Sequence, residues 1–239
     1  MKSVFLFVGF IFFLALSSCK KDEMEMPADM GTNYFPFSVG NWIEYEVDSI
    51  AYIQLPTIDT LYKKLRVKFV MDSLFTDAEG RPTMRWLRYR KDLQSNLPAD
   101  SLEWILFDVW TCTKTNTFIE TFEENIPFVK LIFPVSKNKE WNGNAKNSLG
   151  AENYTYSEVD QNENLGFYNF DSVLTVTQKF TSSAIAYQSK IEKYARNVGM
   201  IYKEYIDVTS QSVTVLPVMN RIEQGIVYRM KLVAYEVVP

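Results

Sequence analysis

Histidine is absent from the 239 residues. Without an imidazole there is no general base for the usual catalytic triads and dyads, and no histidine-ligated metal or haem. Only nine glycines occur. The nearest two, Gly143 and Gly150, stand too far apart for a glycine-rich phosphate cradle or a dinucleotide fingerprint. A formal net charge of -4 with no basic run argues against nucleic acid. No apolar run reaches the roughly 20 residues of a membrane-spanning helix. What is present is a 47% hydrophobic, 15% aromatic composition, enough for one sizeable core and far from that of a disordered chain.

The N-terminus carries the clearest signal. Lys2 supplies a positive start, and Val4 to Leu16 form an apolar run of thirteen residues, the length of a targeting segment. Leu16-Ser17-Ser18-Cys19 follows. It closely resembles the lipobox of bacterial lipoproteins. That resemblance implies that the Cys19 sulfur receives diacylglycerol, that residues 1–18 are cut away as a signal peptide, and that the new amino group is acylated. Several acyl chains, at about 0.8 kcal/mol per buried methylene, make a stable anchor. The second cysteine, Cys112, is then alone, so no internal disulfide is expected, and its apolar surroundings suit a buried thiol.

Residues 19–33 read as a flexible tether, with Lys20-Lys21-Asp22-Glu23 followed by Pro27 and Gly31. The lysine-then-acidic run resembles the surface-export signal of Bacteroidota lipoproteins. Lys20 departs from the aspartate that retains enteric lipoproteins at the inner membrane, which points to the outer membrane, facing the periplasm or the surface. A charged tether without signalling content fits the same residues.

From residue 34 to 239 a single β-rich domain is expected. Ile43, Tyr45 and Val47 alternate with Trp42, Glu44 and Glu46, and Leu65, Val67, Phe69 and Met71 share one face of the next segment. Asp77-Ala78-Glu79-Gly80 is a hairpin turn into Thr83 to Lys91. Leu102 to Cys112 is apolar on both faces and reads as a central, doubly covered strand. Further strands are expected near Thr117–Phe122, Val129–Val135, Tyr154–Val159, Ser172–Phe180, Ile185–Ala195, Met200–Thr209 and Gly225–Val238, with Ile185–Ala195 the one stretch that also suits a helix. Nine to eleven strands without an amphipathic helix imply an all-β antiparallel sandwich, barrel or half-barrel. The strands show no lipid-facing apolar band with aromatic girdles, as a transmembrane barrel would.

The run Tyr34 to Tyr45, the segment Ala195-Arg196-Asn197-Val198-Gly199-Met200-Ile201-Tyr202-Lys203-Glu204 and the tyrosine-bearing last strand resemble a loose group of Bacteroidota lipoproteins. The resemblance implies an envelope location and a β-rich fold, and brings no catalytic residue.

Four constellations bear on chemistry. Trp104, Asp108 and Trp110 fall at even spacing, as two indoles flanking a carboxylate could to hold a sugar or another amphipathic ligand, with Arg85, Arg88 or Arg90 to pair Asp108. A tryptophan-rich core fits the same pattern. Asp160-Gln161-Asn162-Glu163-Asn164-Leu165-Gly166, with Asp171 beyond, partly resembles a calcium loop, but Leu165 stands where glycine is needed, so an Asn-rich turn is expected and no metal. Glu120, Glu123 and Glu124 are carboxylates of the kind a glycosidase pairs, though nothing in the sequence sets their separation. Finally, five of twelve aspartates precede a hydroxyl and an aliphatic residue, marking Ser49, Thr60, Ser73, Ser101 and Ser172. The pattern is similar to the O-glycosylation acceptor of Bacteroidota envelope proteins, and equally suits turn capping before a strand.

Together these features lead to a lipid-anchored, non-enzymatic binding or structural module, without a cofactor. Its expected partners are the membrane, through Cys19, and an envelope protein, glycan or lipid. A carrier of an amphipathic ligand in a curved β cup is the main alternative, and a carboxylate-based glycan hydrolase the second. A large apolar interior cavity would mark the carrier, and two close carboxylates in a polar cleft the hydrolase.

Overall fold

A computed structural model describes residues 29–238; the lipobox-like run Leu16-Ser17-Ser18-Cys19 and the charged run after it lie outside the described residues. Twelve strands run through these residues: β1 (Trp42–Leu55), β2 (Thr57–Thr76), β3 (Pro82–Asp92), β4 (Ile105–Lys114), β5 (Phe118–Glu123), β6 (Ile126–Ile132), β7 (Glu140–Asn142), β8 (Asn153–Leu165), β9 (Tyr168–Ser182), β10 (Ala186–Ala195), β11 (Gly199–Thr209) and β12 (Gln224–Glu236). All pair antiparallel, in the order β6-β5-β4-β3-β2-β1-β12-β11-β10-β9-β8-β7. The meander therefore has its first and last strands side by side in mid-sheet, and its two edges, β6 and β7, are consecutive in sequence. The sheet curls into a nearly closed barrel.

Strand alternation supplies the curl with two different faces. Ile43, Tyr45 and Val47 of β1 and Val67, Phe69 and Met71 of β2 are buried together in one core. Between them, Glu44 pairs with Arg66 at 2.9 Å and Glu46 with Lys64 at 3.1 Å on the outer wall. Burying period-two apolar residues drives the sheet to close, and full closure removes the exposed edges that a flat sheet would leave for aggregation.

The seam is closed by one backbone hydrogen bond and several side-chain ones rather than by a ladder. Val129 N donates to Gly143 O at 2.9 Å and Trp141 Nε1 to Val129 O at 2.8 Å. Tyr156 Oη accepts from Ile132 N at 2.8 Å and donates to Ile132 O at 2.7 Å, while Asn147 Nδ2 reaches Pro127 O at 2.8 Å. Gly143 makes this approach feasible, because a Cβ there would lie 2.3 Å from the Tyr154 ring.

Strand direction defines two ends. The connections after β2, β4, β6, β8 and β10 lie at one end, the base, and those after β1, β3, β5, β7, β9 and β11 at the other, the mouth. Residues 29–41 seal the base. Tyr34 and Phe35 are buried there; Lys114 Nζ donates to Thr32 O at 2.9 Å and Phe35 O at 2.7 Å, and Asn197 N to Asn33 O at 2.7 Å. Arg196 binds Asn33, Asp29 and Asp160 and lies over the Tyr34 ring. The two sequence runs at Tyr34 and at Ala195 are thus halves of one junction. Residues 29–33 belong to it as well.

Several expectations are corrected. Twelve strands replace nine to eleven, because the three-residue β7 is too short to show a period. Ile185–Ala195, by contrast, is strand as expected rather than helix. The segment Leu102–Cys112 is not doubly covered: Ile105, Leu106 and Val109 are exposed on a wall that no second layer among the described residues packs against. Gln161 to Leu165 is strand rather than an Asn-rich turn; the turn falls at Gly166-Phe167, and Asp160 sits at a register break with φ 53°. Of the five Asp-hydroxyl sites only Ser101 lies in a turn, while Ser49, Thr60, Ser73 and Ser172 are inside strands.

Candidate functional site

The lumen is graded from base to mouth. Near the base it is aromatic: Phe35 stacks on Trp86 at 5.6 Å, and Phe69 packs between Trp86 and Trp110. Next to them stands a buried charge cluster. Lys130 Nζ, contributed by the extra residue of a β6 bulge, bridges Glu192 at 2.6 Å and Glu123 at 3.2 Å. Lys203 Nζ reaches the same two carboxylates at 3.2 and 3.5 Å, and Tyr194 Oη donates to Glu192 at 2.6 Å. Burial pushes the Glu192 carboxyl up, but the two ammoniums outweigh it and hold its pKa at about 2. Glu123 is depressed by the same balance, and burial of Lys130 is likewise outweighed by its two carboxylates, which raise it. The cluster is fully ionised and internally neutral.

Arg88 extends it. Cross-strand pairing sets Trp86 opposite Trp110 and Arg88 opposite Asp108. Arg88 donates to Asp108 at 2.6 Å, and its guanidinium lies 3.5 Å over the Trp110 ring. The structure therefore brings Asp108 and Trp110 together, and of the three arginines named from sequence it is Arg88 that pairs Asp108; Arg85 is taken by Asp72. Trp104 is elsewhere. Phe107 is an extra residue in the β4 register, so the even spacing breaks, and Trp104 precedes the strand beside Lys91 at 4.7 Å. The expected face of two indoles flanking a carboxylate is not formed, because the bulge rotates Trp104 away and Arg88 covers Trp110.

The carboxylates separate in the same way. Glu123 faces the lumen, Glu124 is exposed, and Glu120 is buried under the β7–β8 connection against Arg81 and Lys146. The calcium-like residues do not gather: Asp160 is bound by Arg196 at 2.8 Å, which with Ser172 and Tyr34 holds its carboxyl well below the usual range. Among the described residues no cluster of three or more metal-binding side chains forms. Cys112 is fully buried, and burial pushes its thiol well up. Of the Asp-hydroxyl sites, Thr60 and Ser101 are exposed, whereas Ser172 is held by Asp160 and Arg196.

Two of the openings, of different size, bear on function. The lumen cavity bordered by Trp86, Arg88, Trp110 and the Glu-Lys cluster measures about 50 Å³, space for about three to five water molecules at roughly 10–15 Å³ each. Trp86 Nε1, Trp110 Nε1 and Arg88 Nε are buried there without a partner among the described residues. A second opening, about 610 Å³, lies at the mouth between the β7–β8 connection and β9. Sequence reasoning missed both Lys130 and Gln178, which these openings turn on. Each is the extra residue of a bulge, and period-two patterning assigns such a residue to the wrong face.

No protein-family model matches the chain, and no curated protein matches it. Two crystal structures are similar to its fold. One is a Bacteroides fragilis protein described as exported and YmcC-like, with 10% identity over 84% of this chain and 98% of that one and a TM-score of 0.43. The other is a Parabacteroides distasonis protein described as a lipoprotein, with 10% identity over 88% of this chain and 100% of that one and a TM-score of 0.41.

Proposed function

We propose that this chain is a lipid-anchored protein of the bacterial cell envelope, held at the outer membrane through acylated Cys19, that works by binding rather than by catalysis. The observation that carries the reading is the polarity of the barrel. The segment continuous with the tether is locked into the base by Lys114 and Arg196, so a membrane-held chain presents its mouth to whatever it meets. Exposed Leu97, Phe180, Val213 and Val215 stand on the mouth connections and strand ends. The ion pairs of the outer wall suit water rather than lipid, which favours a barrel that hangs from the membrane over one that crosses it.

The two rivals meet specific obstacles. A lumen of about 50 Å³ is far below the ~300–1,000 Å³ of ordinary ligand pockets, so it holds no acyl chain. Glu123 and Glu192 are close, but two shared ammoniums keep both ionised, and a glycosidase needs one carboxyl that retains a proton.

The test begins with fractionation. Cys19→Ala should move the protein from the membrane pellet to the soluble fraction; retention in the pellet removes the anchor from the argument. Wild-type protein taken from its own envelope in mild detergent should then show a non-covalent partner in its native mass spectrum that denaturation removes. A bare native mass, with turnover of a glycan substrate, would overturn the binding reading.

A further inference from the structure

The mouth opening has the features of a built site. β8 stops pairing with β9 at Thr155 and Thr177, while β9 runs on to Ser182 with only β10 beside it. This leaves a notch in the barrel rim. Its facing wall is the β7–β8 connection, which is stiffened from within: Asn142 Oδ1 accepts from Asn144 N at 3.0 Å and Glu152 N at 3.1 Å, and Asn144 Nδ2 donates to Gly150 O at 2.8 Å. The wall is thus pre-organised, which lowers the entropy cost of binding.

Gln178 lines the notch at 8% exposure, and its amide nitrogen has no hydrogen-bond partner among the described residues. A buried amide beside an opening, left without a partner, is a donor awaiting an acceptor. Glu152 lies across from it, with Oε1 engaged by Lys190 Nζ at 3.0 Å and the other oxygen left as an acceptor. At the lip, the Phe180 ring is 66% exposed and is steadied edge-on by Tyr187, with centroids 6.0 Å apart at 88°. Leu149 adds a second exposed apolar surface.

Amide and carboxylate groups beside an open aromatic face match one ligand chemistry: a molecule with hydroxyls on its rim and C–H groups on its face. Lys190 pairs with Glu152 at 3.0 Å, so the lining carries one net positive charge, on Lys179, and no second cation to clamp an anion. The volume of about 610 Å³ falls within the range of small-molecule sites.

We propose that this rim notch binds a neutral carbohydrate, with a pyranose ring stacked on Phe180 and its hydroxyls held by Gln178 and Glu152. The proposal rests on the reading of the chain as a binding module and names its ligand class. Saturation-transfer NMR on the mature domain tests it, with malto-, cello-, laminari-, xylo-, manno- and chitohexaose as probes. At least one should bind saturably, and Phe180→Ala and Gln178→Met should each weaken that binding about tenfold or more. Both variants should keep the wild-type melting temperature within a few degrees, since Phe180 is exposed and methionine fills the space of glutamine. No saturable binding by any of the six, or binding that Phe180→Ala leaves unchanged, overturns the proposal. A protein partner in the native mass spectrum alongside that negative result would sink the sugar site while leaving the binding-module reading in place.

Discussion

Replacing Lys130 by methionine tests the physics of the lumen directly. Lys130 is 7% exposed at its side chain and bridges Glu192 and Glu123. Methionine keeps the volume and removes the charge, so Glu192, itself 1% exposed, keeps only Lys203 at 3.2 Å. The Glu192 pKa falls from 4.5 to about 2 on folding, which at 1.36 kcal/mol per pH unit corresponds to about 3 kcal/mol. That agrees with the ~3–5 kcal/mol usual for breaking a buried pair, and it is a large fraction of a total stability on the order of 5–15 kcal/mol. A group depressed in the folded state stabilises above its unfolded pKa, and the contribution fades as pH falls through the folded one. The wild type should therefore lose this stabilisation between about pH 4.5 and pH 2, while the variant has little of it to lose. Urea unfolding should show a gap of about 3 kcal/mol at pH 7 that narrows to about 1 kcal/mol at pH 3. Lys130→Met with Glu192→Met should be more stable at pH 7 than Lys130→Met alone. A gap of equal size at both pH values, or a double variant as unstable as the two losses added, would refute the account.

Gly143→Ala should cost about 1–3 kcal/mol in thermal or urea unfolding and speed amide exchange at Val129, since the new Cβ would lie 2.3 Å from the Tyr154 ring that backs the seam; unchanged exchange there would show that the seam tolerates the side chain. Arg196→Ala should open residues 29–41 to limited proteolysis while the barrel stays folded. Because Arg196 keeps the Asp160 carboxyl below its ordinary range, acid should loosen the same segment in the wild type, the contribution of Asp160 being present above about pH 4 and fading as pH falls further; a segment equally protected in both proteins would show that the arginine is idle. If the chain is glycosylated, denatured peptide masses should place the excess on Thr60 and Ser101, the exposed hydroxyls. An excess on Ser172, which Asp160 and Arg196 occupy, would contradict that order.

The cluster, the seam and the rim notch share one origin. Each depends on an irregular position in an otherwise regular meander: Lys130 in a β6 bulge, Gly143 just beyond the short β7, Gln178 in a β9 bulge. A closed barrel with perfect alternation would place polar groups outside and apolar ones inside throughout. Bulges turn single polar residues inward or toward the rim, which is where a barrel acquires charge or a binding edge.

The all-β class and eleven of the twelve strands were legible in the residue order, because alternation and turn chemistry act over a few neighbours; for Asp108 the same pattern offered three arginines, and the register selected Arg88. The lipobox-like run Leu16-Ser17-Ser18-Cys19 is likewise a reading of four consecutive residues, and it lies outside the described residues. Several features depend instead on residues far apart in the chain. Trp104 leaves the Asp108 and Trp110 face because a bulge at Phe107 intervenes, and Lys130 finds Glu192 only when β6 and β10 meet across the lumen. Phe180 and Gln178 become a rim only because β8 ends short of β9. Strand order, register breaks and closure are settled by the packing of the whole sheet, where each slip by one residue exchanges inside for outside, and no window of neighbouring residues contains that information.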